Sequence, residues 1–361
     1  MKIAVLGAGG GGASAAVELT QAGHDVRLWN RSAAALDGFA AAGGVRHQGV
    51  FGNGLTPLAM ITADLALAAQ AADALLVCLP TMAHAGVAQA LIDAHVMSVP
   101  VILNPGHSGG ALEVAAVFAR AGLNPPPIAE FSTLTYVARK SAADCVNITG
   151  RAKSVWAAAL PGGDSALAIA QRLYDCARTA PDVLATALAN VNMVLHPPGA
   201  ILGAAWVEAR DGDFTFYVEG LTDGVARVMA ALDRERLAVA AAFGHALPDL
   251  FFEMQAIGTI ESEADPAAGL AAAIRGGTAN ARIKAPDSLA HRYYREDFWY
   301  GLMPFMALAK IADIATPTAQ SLLHLGICLA GEGRLKAGRT AAAMGIDGCS
   351  KAALLEKVKP S

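Results

Sequence analysis

The chain has 361 residues, with 27 basic and 31 acidic side chains and a net charge of −4. Hydrophobic residues make up 54% and charged residues 16%, which supplies large cores and excludes a disordered chain. The length allows one to three domains, two by preference, and the mild acidity (pI ≈ 6.1) excludes the basic footprint of a nucleic-acid binder.

The first segment, "MKIAVLGAGGGGASAAVEL", carries two patterns at once. As a secretion signal it fails, because only "IAVL" precedes the glycines and a signal core needs about 7–15 apolar residues. As a nucleotide site it fits. "KIAVLG" reads as a short strand, "GASAAVELTQAG" as a helix, and Gly7-x-Gly9-x-x-Gly12 lies at the junction. The first glycine permits the tight turn, the second lets backbone approach a pyrophosphate, and the third lets helix pack on strand. Phosphates then meet free N–H groups at the helix start. The glycine-rich run from Gly7 to Gly12 is itself a poor helical segment, and Gly10 and Gly11 have no role in the motif.

"HDVRLWNR" is the second strand. NAD sites place an acid at its end to hold the ribose 2′-hydroxyl; here the end is Asn30, Arg31 and Ser32. Asn30 accommodates a hydroxyl without repelling a phosphate, and Arg31 suits a 2′-phosphate. NADP(H) is therefore the preferred cofactor, with NAD(H) possible. "ADALLVCLP" is a strand ending at Pro80 on the cofactor side, and "PVILNPG" another, followed by the helix "GALEVAAVFARAG". Strands alternating with helices predict a parallel, doubly wound sheet. Thr81 and His84, just past a strand's carboxyl end, are candidates to face nicotinamide or substrate.

Near residue 180 the pattern turns helical. The expected division is a dinucleotide-binding domain over 1–180 and a helical substrate or dimerisation domain over 181–361. Residues 183–207 carry no charge and have the length of a membrane span. Two Asn, one His and a Pro-Pro pair in that stretch argue instead for buried helices lining a polar site. Asn192 and His196 are four apart and share a helix face. Pro197 disfavours helix at the residue before it, which places His196 at a helix end, where the macrodipole favours its cation.

"TDGVARVMAALDRERLAVAAAFG" predicts a long helix capped by Thr222 and stopped by Gly244. The stretch from "GTIESEADPAAG" to "IKAPDS" reads as loop, in part a candidate mobile loop over a cleft. "DFWYGLMPFMALAKIADI" and "PTAQSLLHLGICLAGEG" read as helices. Asp297 is a candidate first-turn carboxylate, Arg292 a candidate clamp for a substrate carboxylate, and Tyr293 an aromatic that either packs or lines the site. The cysteines number five, with no C-x-x-C spacing, so neither a disulfide framework nor a zinc ribbon is expected, and a cytoplasmic setting fits. No metal site is expected.

Several of these pieces taken together resemble the opine dehydrogenase family, which includes octopine and nopaline dehydrogenases. They are "VLGAGGGG", "VCLPTMAHAGVA", "ILNPGHSGGALE", "NVNMVLHP", "FTFYVEGLTDGVARVMAALDRERLAVAAAFG" and "IKAPDSLAHRYYREDFWYGLMP". The resemblance implies an N-terminal Rossmann-type α/β domain, an all-helical C-terminal domain and an active site between them. It implies reductive condensation: an amino acid's amine and a 2-oxo acid form an imine that NAD(P)H reduces. It also implies a catalytic pair, which falls here on His196 and Asp297. The chemistry is apt, since a protonated imine accepts hydride more readily and a carboxylate orients and stabilises the imidazolium. Asp223 in "EGLTDG" departs from the proline expected there. A reductase of a 2-oxo or 3-hydroxy acid without an amine partner, and a non-catalytic NADPH sensor, are the competing readings. A homodimer is expected, with no membrane or nucleic-acid partner.

Overall fold

The computed structural model describes residues 1–330 and 338–360. The chain forms two compact units: residues 1–106, 110–183 and 358–361, and residues 107–109 with 184–357.

The first unit is built on an eight-stranded sheet. In spatial order its strands are Ala177–Thr179, Val155–Ala159, Ile128–Phe131, Val101–Leu103, Ala74–Val77, Lys2–Leu6, Asp25–Trp29 and Met60–Thr62. All neighbours pair in parallel except Val155–Ala159 with Ile128–Phe131. The central strands "ALLV" and "VIL" are buried throughout, as a parallel sheet covered on both faces requires. From Lys2–Leu6 the chain steps to Asp25–Trp29 on one side, and Ala74–Val77 returns on the other. The strand order therefore reverses at Leu6, and the glycine loop leaves the carboxyl end of the strand at that switch point.

A second, mixed sheet of four strands was not foreseen from sequence. Its order is Gly54–Pro57, Gly44–Gly49, Cys145–Arg151 and Tyr136–Ala142. Three of its strands are exposed at half or more of their positions and carry no long apolar run, so no apolar period announces them.

The helix after the first strand starts earlier than expected, at Gly10, and runs Gly10–Gln21. Gly10 and Gly11 form its first turn, and packing accounts for them. A Cβ on Gly10 would stand 3.0 Å from the Ala138 carbonyl oxygen, and one on Gly11 3.0 Å from the Leu134 side chain. Close contact with neighbouring chain outweighs the low helix propensity of glycine.

The second unit is helical. Its uncharged first stretch is broken into Val183–Leu188, Val191–Leu202 and Ala204–Arg210, and no helix among the described residues is long and apolar enough to cross a membrane. Asp223–Ala242 follows, capped as expected by the Thr222 hydroxyl, which accepts the Val225 N–H, and followed by Gly244 in the left-handed region. Leu250–Ile257 is a further helix, and the stretch read as loop contains the helix Leu270–Gly276 and a short 3-10 turn. Alanine-rich "LAAAI" supplies helix propensity that the surrounding glycines masked. Tyr293–Leu302 winds as a π-helix and continues into Met303–Ala312; Pro317–Ala330 and Lys351–Val358 complete the unit. Residues 331–333, expected to end one helix, lie outside the described residues.

A buried arginine fixes the approach to Val191–Leu202. Arg236 Nε donates to Asp233 Oδ1 at 2.7 Å, and its two Nη atoms donate to the Leu188 and Pro248 carbonyls at 3.0 and 2.7 Å. Asp233 Oδ2 accepts the Leu250 N–H at 2.7 Å. Every charged atom of the pair thus has a partner, which a buried ion pair needs to be tolerated. Two residues beyond Leu188, Asn190 caps the helix by accepting the Asn192 N–H at 3.1 Å.

Candidate active site

In the first unit, the glycine loop has the shape of a phosphate cradle. Gly7 lies at φ +123°, a conformation that favours glycine. A Cβ on Gly12 would fall 1.8 Å from the Gly7 carbonyl oxygen, whereas one on Gly9 would meet nothing within 4 Å. Gly12 is thus required by helix–strand packing, and Gly9 leaves an open face. The first intrahelical bond runs from the Ala13 N–H to the Gly9 carbonyl, so the N–H groups of Gly10 to Gly12 head the helix with no earlier turn to bond. These features fit a dinucleotide pyrophosphate.

Asn30 ties this loop to the strand beside it. Its Oδ1 accepts the Ala8 N–H at 3.3 Å and its Nδ2 donates to the Ser32 carbonyl at 3.2 Å. Arg31 and Ser32 are exposed. No carboxylate stands at residues 30–32. Pro80 precedes a short 3-10 turn containing Thr81, and His84 opens the helix His84–Asp93. Thr81 and His84 are both buried. The His84 ring lies where a Cβ on Gly110 would be, 2.8 Å from Nδ1.

In the second unit, His196 and Asp297 meet. His196 Nδ1 is 2.7 Å from Asp297 Oδ2, with both side chains about 95% buried. His196 is not at a helix end: it sits midway along Val191–Leu202, which runs through both Pro197 and Pro198. Those prolines withhold only the N–H groups that would bond the Met193 and Val194 carbonyls. Packing against Asp223–Ala242, Pro317–Ala330 and the π-helix holds the segment helical. The macrodipole argument for a cationic His196 therefore fails. Asp297 is likewise not in a first turn but at the fifth residue of the π-helix. There its four-residue spacing from Tyr293 puts both on His196.

The Tyr293 ring stacks on the imidazole at 3.7 Å and 14°. Phe216 packs edge-on to both rings. The other imidazole nitrogen, Nε2, is 2.7 Å from the Tyr217 hydroxyl. Sequence reasoning missed Tyr217 and Phe216. They lie in the quoted stretch "FTFYVEG", but nothing local to that stretch marks an aromatic as facing a histidine.

A second histidine also went unassigned. His107, in the left-handed region at φ +52°, places Nε2 3.5 Å from Asn192 Nδ2 and Nδ1 4.0 Å from Glu296. Asn192 therefore does lie beside a histidine, but in contact with His107. Arg292 sits 5.7 Å from the Tyr293 ring centroid. Crowding works against its charge, yet Glu296, Tyr293 and Asp297 outweigh it and hold the guanidinium protonated more firmly than usual.

Burial, reinforced by Glu296, pushes Asp297 well above the usual carboxylate range, against the pull of His107 and Arg292. Burial pushes His107 down, with Glu296 and Asp297 opposing. It pushes Tyr217 up, so the phenol stays neutral. The cluster can hold and move a proton in a buried site while Arg292 offers a fixed positive charge.

Residues 179–328 match the family model described as NAD/NADP octopine/nopaline dehydrogenase, alpha-helical domain. Residues 2–104 match that of the NAD-dependent glycerol-3-phosphate dehydrogenase N-terminus. The chain is 30% identical over 358 residues to an opine dehydrogenase of Arthrobacter sp. strain 1C, covering 99% of this chain and 98% of that one. It is 23% identical to a vitopine synthase of Allorhizobium ampelinum over 97% and 96% of the two chains. Among solved structures, octopine dehydrogenase with NADH and L-arginine shares the fold at a TM-score of 0.76, with 21% identity and 98% of each chain covered. NADP+-bound yersinopine dehydrogenase does so at 0.69, with 18% identity and 99% and 98% covered. The α/β dinucleotide-binding unit and the helical unit are those of this fold. The chain belongs to the opine dehydrogenase family, NAD(P)-dependent oxidoreductases that act on CH–NH bonds.

Proposed function

We propose that this protein condenses the amine of an amino acid with a 2-oxo acid and reduces the resulting imine, with NADP(H) preferred over NAD(H), and that His196 and Asp297 carry the proton chemistry. The observation that carries this reading is the buried imidazole fixed at one nitrogen by Asp297, under a stacked Tyr293 and near the Arg292 cation. In balance, amine and oxo acid lose water to form the imine. The imine then gains a hydride at carbon and a proton at nitrogen. Bound NAD(P)H supplies the hydride.

The chain's own residues supply the rest. His196 holds the proton destined for nitrogen, and Asp297 fixes the ring and stabilises the imidazolium. Arg292 pairs with a substrate carboxylate, while Tyr293 and Asn192 shape the surrounding wall. Gly7, Gly9 and Gly12 form the pyrophosphate cradle. The exposed Arg31, with no acid beside it, accepts the 2′-phosphate that distinguishes NADPH. Pro80, Thr81 and His84 shape the carboxyl edge of the sheet, where ligands of such sheets bind.

The test is a matrix of amino acids, including arginine, against 2-oxo acids, including pyruvate, with NADPH and with NADH, followed by product mass. Oxidation of NADPH that requires both substrates and yields a secondary amine supports the reading. Oxidation with an oxo acid alone favours a carbonyl reductase, and NADPH binding without turnover across the matrix favours a sensor. His196→Ala is expected to lose most of kcat with NADPH binding nearly unchanged; normal turnover rules out its role.

A further inference from the structure

Tyr217 occupies the imidazole nitrogen of His196 that Asp297 leaves open. Both nitrogens of His196 are engaged, Nδ1 by Asp297 at 2.7 Å and Nε2 by the Tyr217 hydroxyl at 2.7 Å. Phe216 and Tyr293 cover the ring edge-on and face-on. The imidazole is 3% exposed and Tyr217 5%. A proton leaving Nε2 therefore meets the phenol oxygen first. Arg292 lies 5.7 Å from the centroid of the Tyr293 ring that stacks on His196, so a carboxylate drawn to Arg292 is drawn toward the same cluster.

From this geometry we infer that Tyr217 is a further catalytic residue, a relay whose hydroxyl passes the proton between His196 Nε2 and the substrate nitrogen. The inference rests on the reductive-condensation reading above. In the loaded state Nε2–H donates to the phenol oxygen, and the phenol O–H donates to the imine nitrogen. As the substrate nitrogen takes the phenol proton, the phenol oxygen takes the Nε2 proton. One N–H bond forms on substrate, one breaks on His196, and the phenol is neutral before and after. Both hydrogen bonds then point the other way, which is the state that accepts a proton from an amine. A phenol suits this task because one hydroxyl both donates and accepts, and burial keeps it from ionising.

The relay predicts two protons in motion where direct transfer moves one. The test is Tyr217→Phe, assayed with NADPH and the most active amine–oxo acid pair of the matrix, in mixtures of light and heavy water under single turnover. The wild type is expected to show a curved dependence of rate on deuterium fraction. The variant is expected to lose about 10²–10³-fold in rate, to show a linear dependence, and to bind NADPH as the wild type does. A Phe variant with wild-type rate overturns the relay and makes Tyr217 a plug that substrate displaces. If the Phe variant does not fold, 3-fluorotyrosine at position 217, nearly isosteric and more acidic, decides. An unchanged rate and isotope effect there overturn the relay, and a change in both supports it. Failure of the relay is distinct from failure of the parent reading: an inactive His196→Ala with an active Tyr217→Phe removes only the relay.

Discussion

The sharpest perturbation of the site is Asp297→Asn, which keeps shape and removes charge. The carboxylate accepts from His196 Nδ1 at 2.7 Å with both groups buried. A charge-assisted hydrogen bond of this kind contributes about 1.5–3 kcal/mol, and each 1.4 kcal/mol is tenfold in rate. Loss of imidazolium stabilisation alone should therefore lower kcat by about 10–10²-fold. The amide nitrogen can also donate to Nδ1, which forces the imidazole proton to Nε2 and sets the wrong tautomer. General acid–base catalysis as a whole contributes about 10²–10⁴-fold, which bounds the combined loss. The assay is NADPH oxidation at saturating amine and oxo acid, with cofactor affinity measured separately by fluorescence. The affinity should not change, because Asp297 is engaged by His196 and is no part of the glycine loop that forms the pyrophosphate cradle. Stability supplies a second readout. Asp297 is raised in the folded state, so the folded chain binds more protons than the unfolded one above the ordinary carboxylate value of about 4. That contribution is fully present below pH about 4 and is lost as pH rises through the raised value. Asp297→Asn should remove this loss. Wild-type kcat in the variant, or a defect confined to cofactor affinity, would refute the assignment.

The glycine loop and its neighbours yield three further expectations. Gly12→Ala should destabilise the fold by at least about 1–3 kcal/mol, the usual cost of overpacking, because its Cβ falls 1.8 Å from the Gly7 carbonyl oxygen. Gly9→Ala, with open space around it, should leave the melting temperature unchanged and weaken NADPH binding; equal melting losses in the two variants would contradict the cradle. Arg31→Ala should raise KM for NADPH by about 10–10²-fold, the weight of a charge-assisted contact, with little change for NADH; equal effects on both would remove the 2′-phosphate role. His107 is lowered by burial, so its contribution to stability is present above its ordinary value of about 6.5 and is lost as pH falls toward the folded value. Urea midpoints across that acid window should fall less for His107→Gln than for the wild type, and parallel curves would place the loss elsewhere.

The parts of this molecule that were legible in the sequence are those where a local pattern and a tertiary demand coincide. "KIAVLG" and the glycines state a strand and a turn because both strand burial and backbone approach restrict which residues fit. Thr222 and Gly244 bracket their helix because capping is a local act. His196 and Asp297 were found by resemblance, and nothing within either segment says that they touch. What was illegible was decided across the chain. The helix through Pro197 and Pro198 overrides a sound local rule, because three neighbouring helices hold it. Gly10 and Gly11 looked surplus until Ala138 and Leu134, far along the chain, were seen against them. The mixed sheet is illegible because short, largely exposed strands without an apolar run leave no period to read.

The π-helix explains why one short segment serves two histidines. In "RYYRED", Tyr293 and Asp297 are four apart, as are Arg292 and Glu296. The first pair addresses His196, one member by stacking and one by hydrogen bond. In the second, Glu296 lies 4.0 Å from His107, and its charge with that of Asp297 holds Arg292 protonated. The two stripes are adjacent, so Glu296 raises Asp297 while Arg292 lowers it. A change at position 296 therefore reaches the proton pair without touching it. Removing the Glu296 charge relieves one cause of the upward shift and leaves burial as the other, so Asp297 should ionise at lower pH. The same change leaves Arg292 with one fewer counter-charge and more available to a substrate carboxylate. On the roles proposed for these residues, Glu296 thus couples the acidity of the Asp297 carboxyl to the strength of the Arg292 clamp in the same sense, and its loss should raise both. Such a coupling follows from the four-residue spacing together with the adjacency of Glu296 and Asp297.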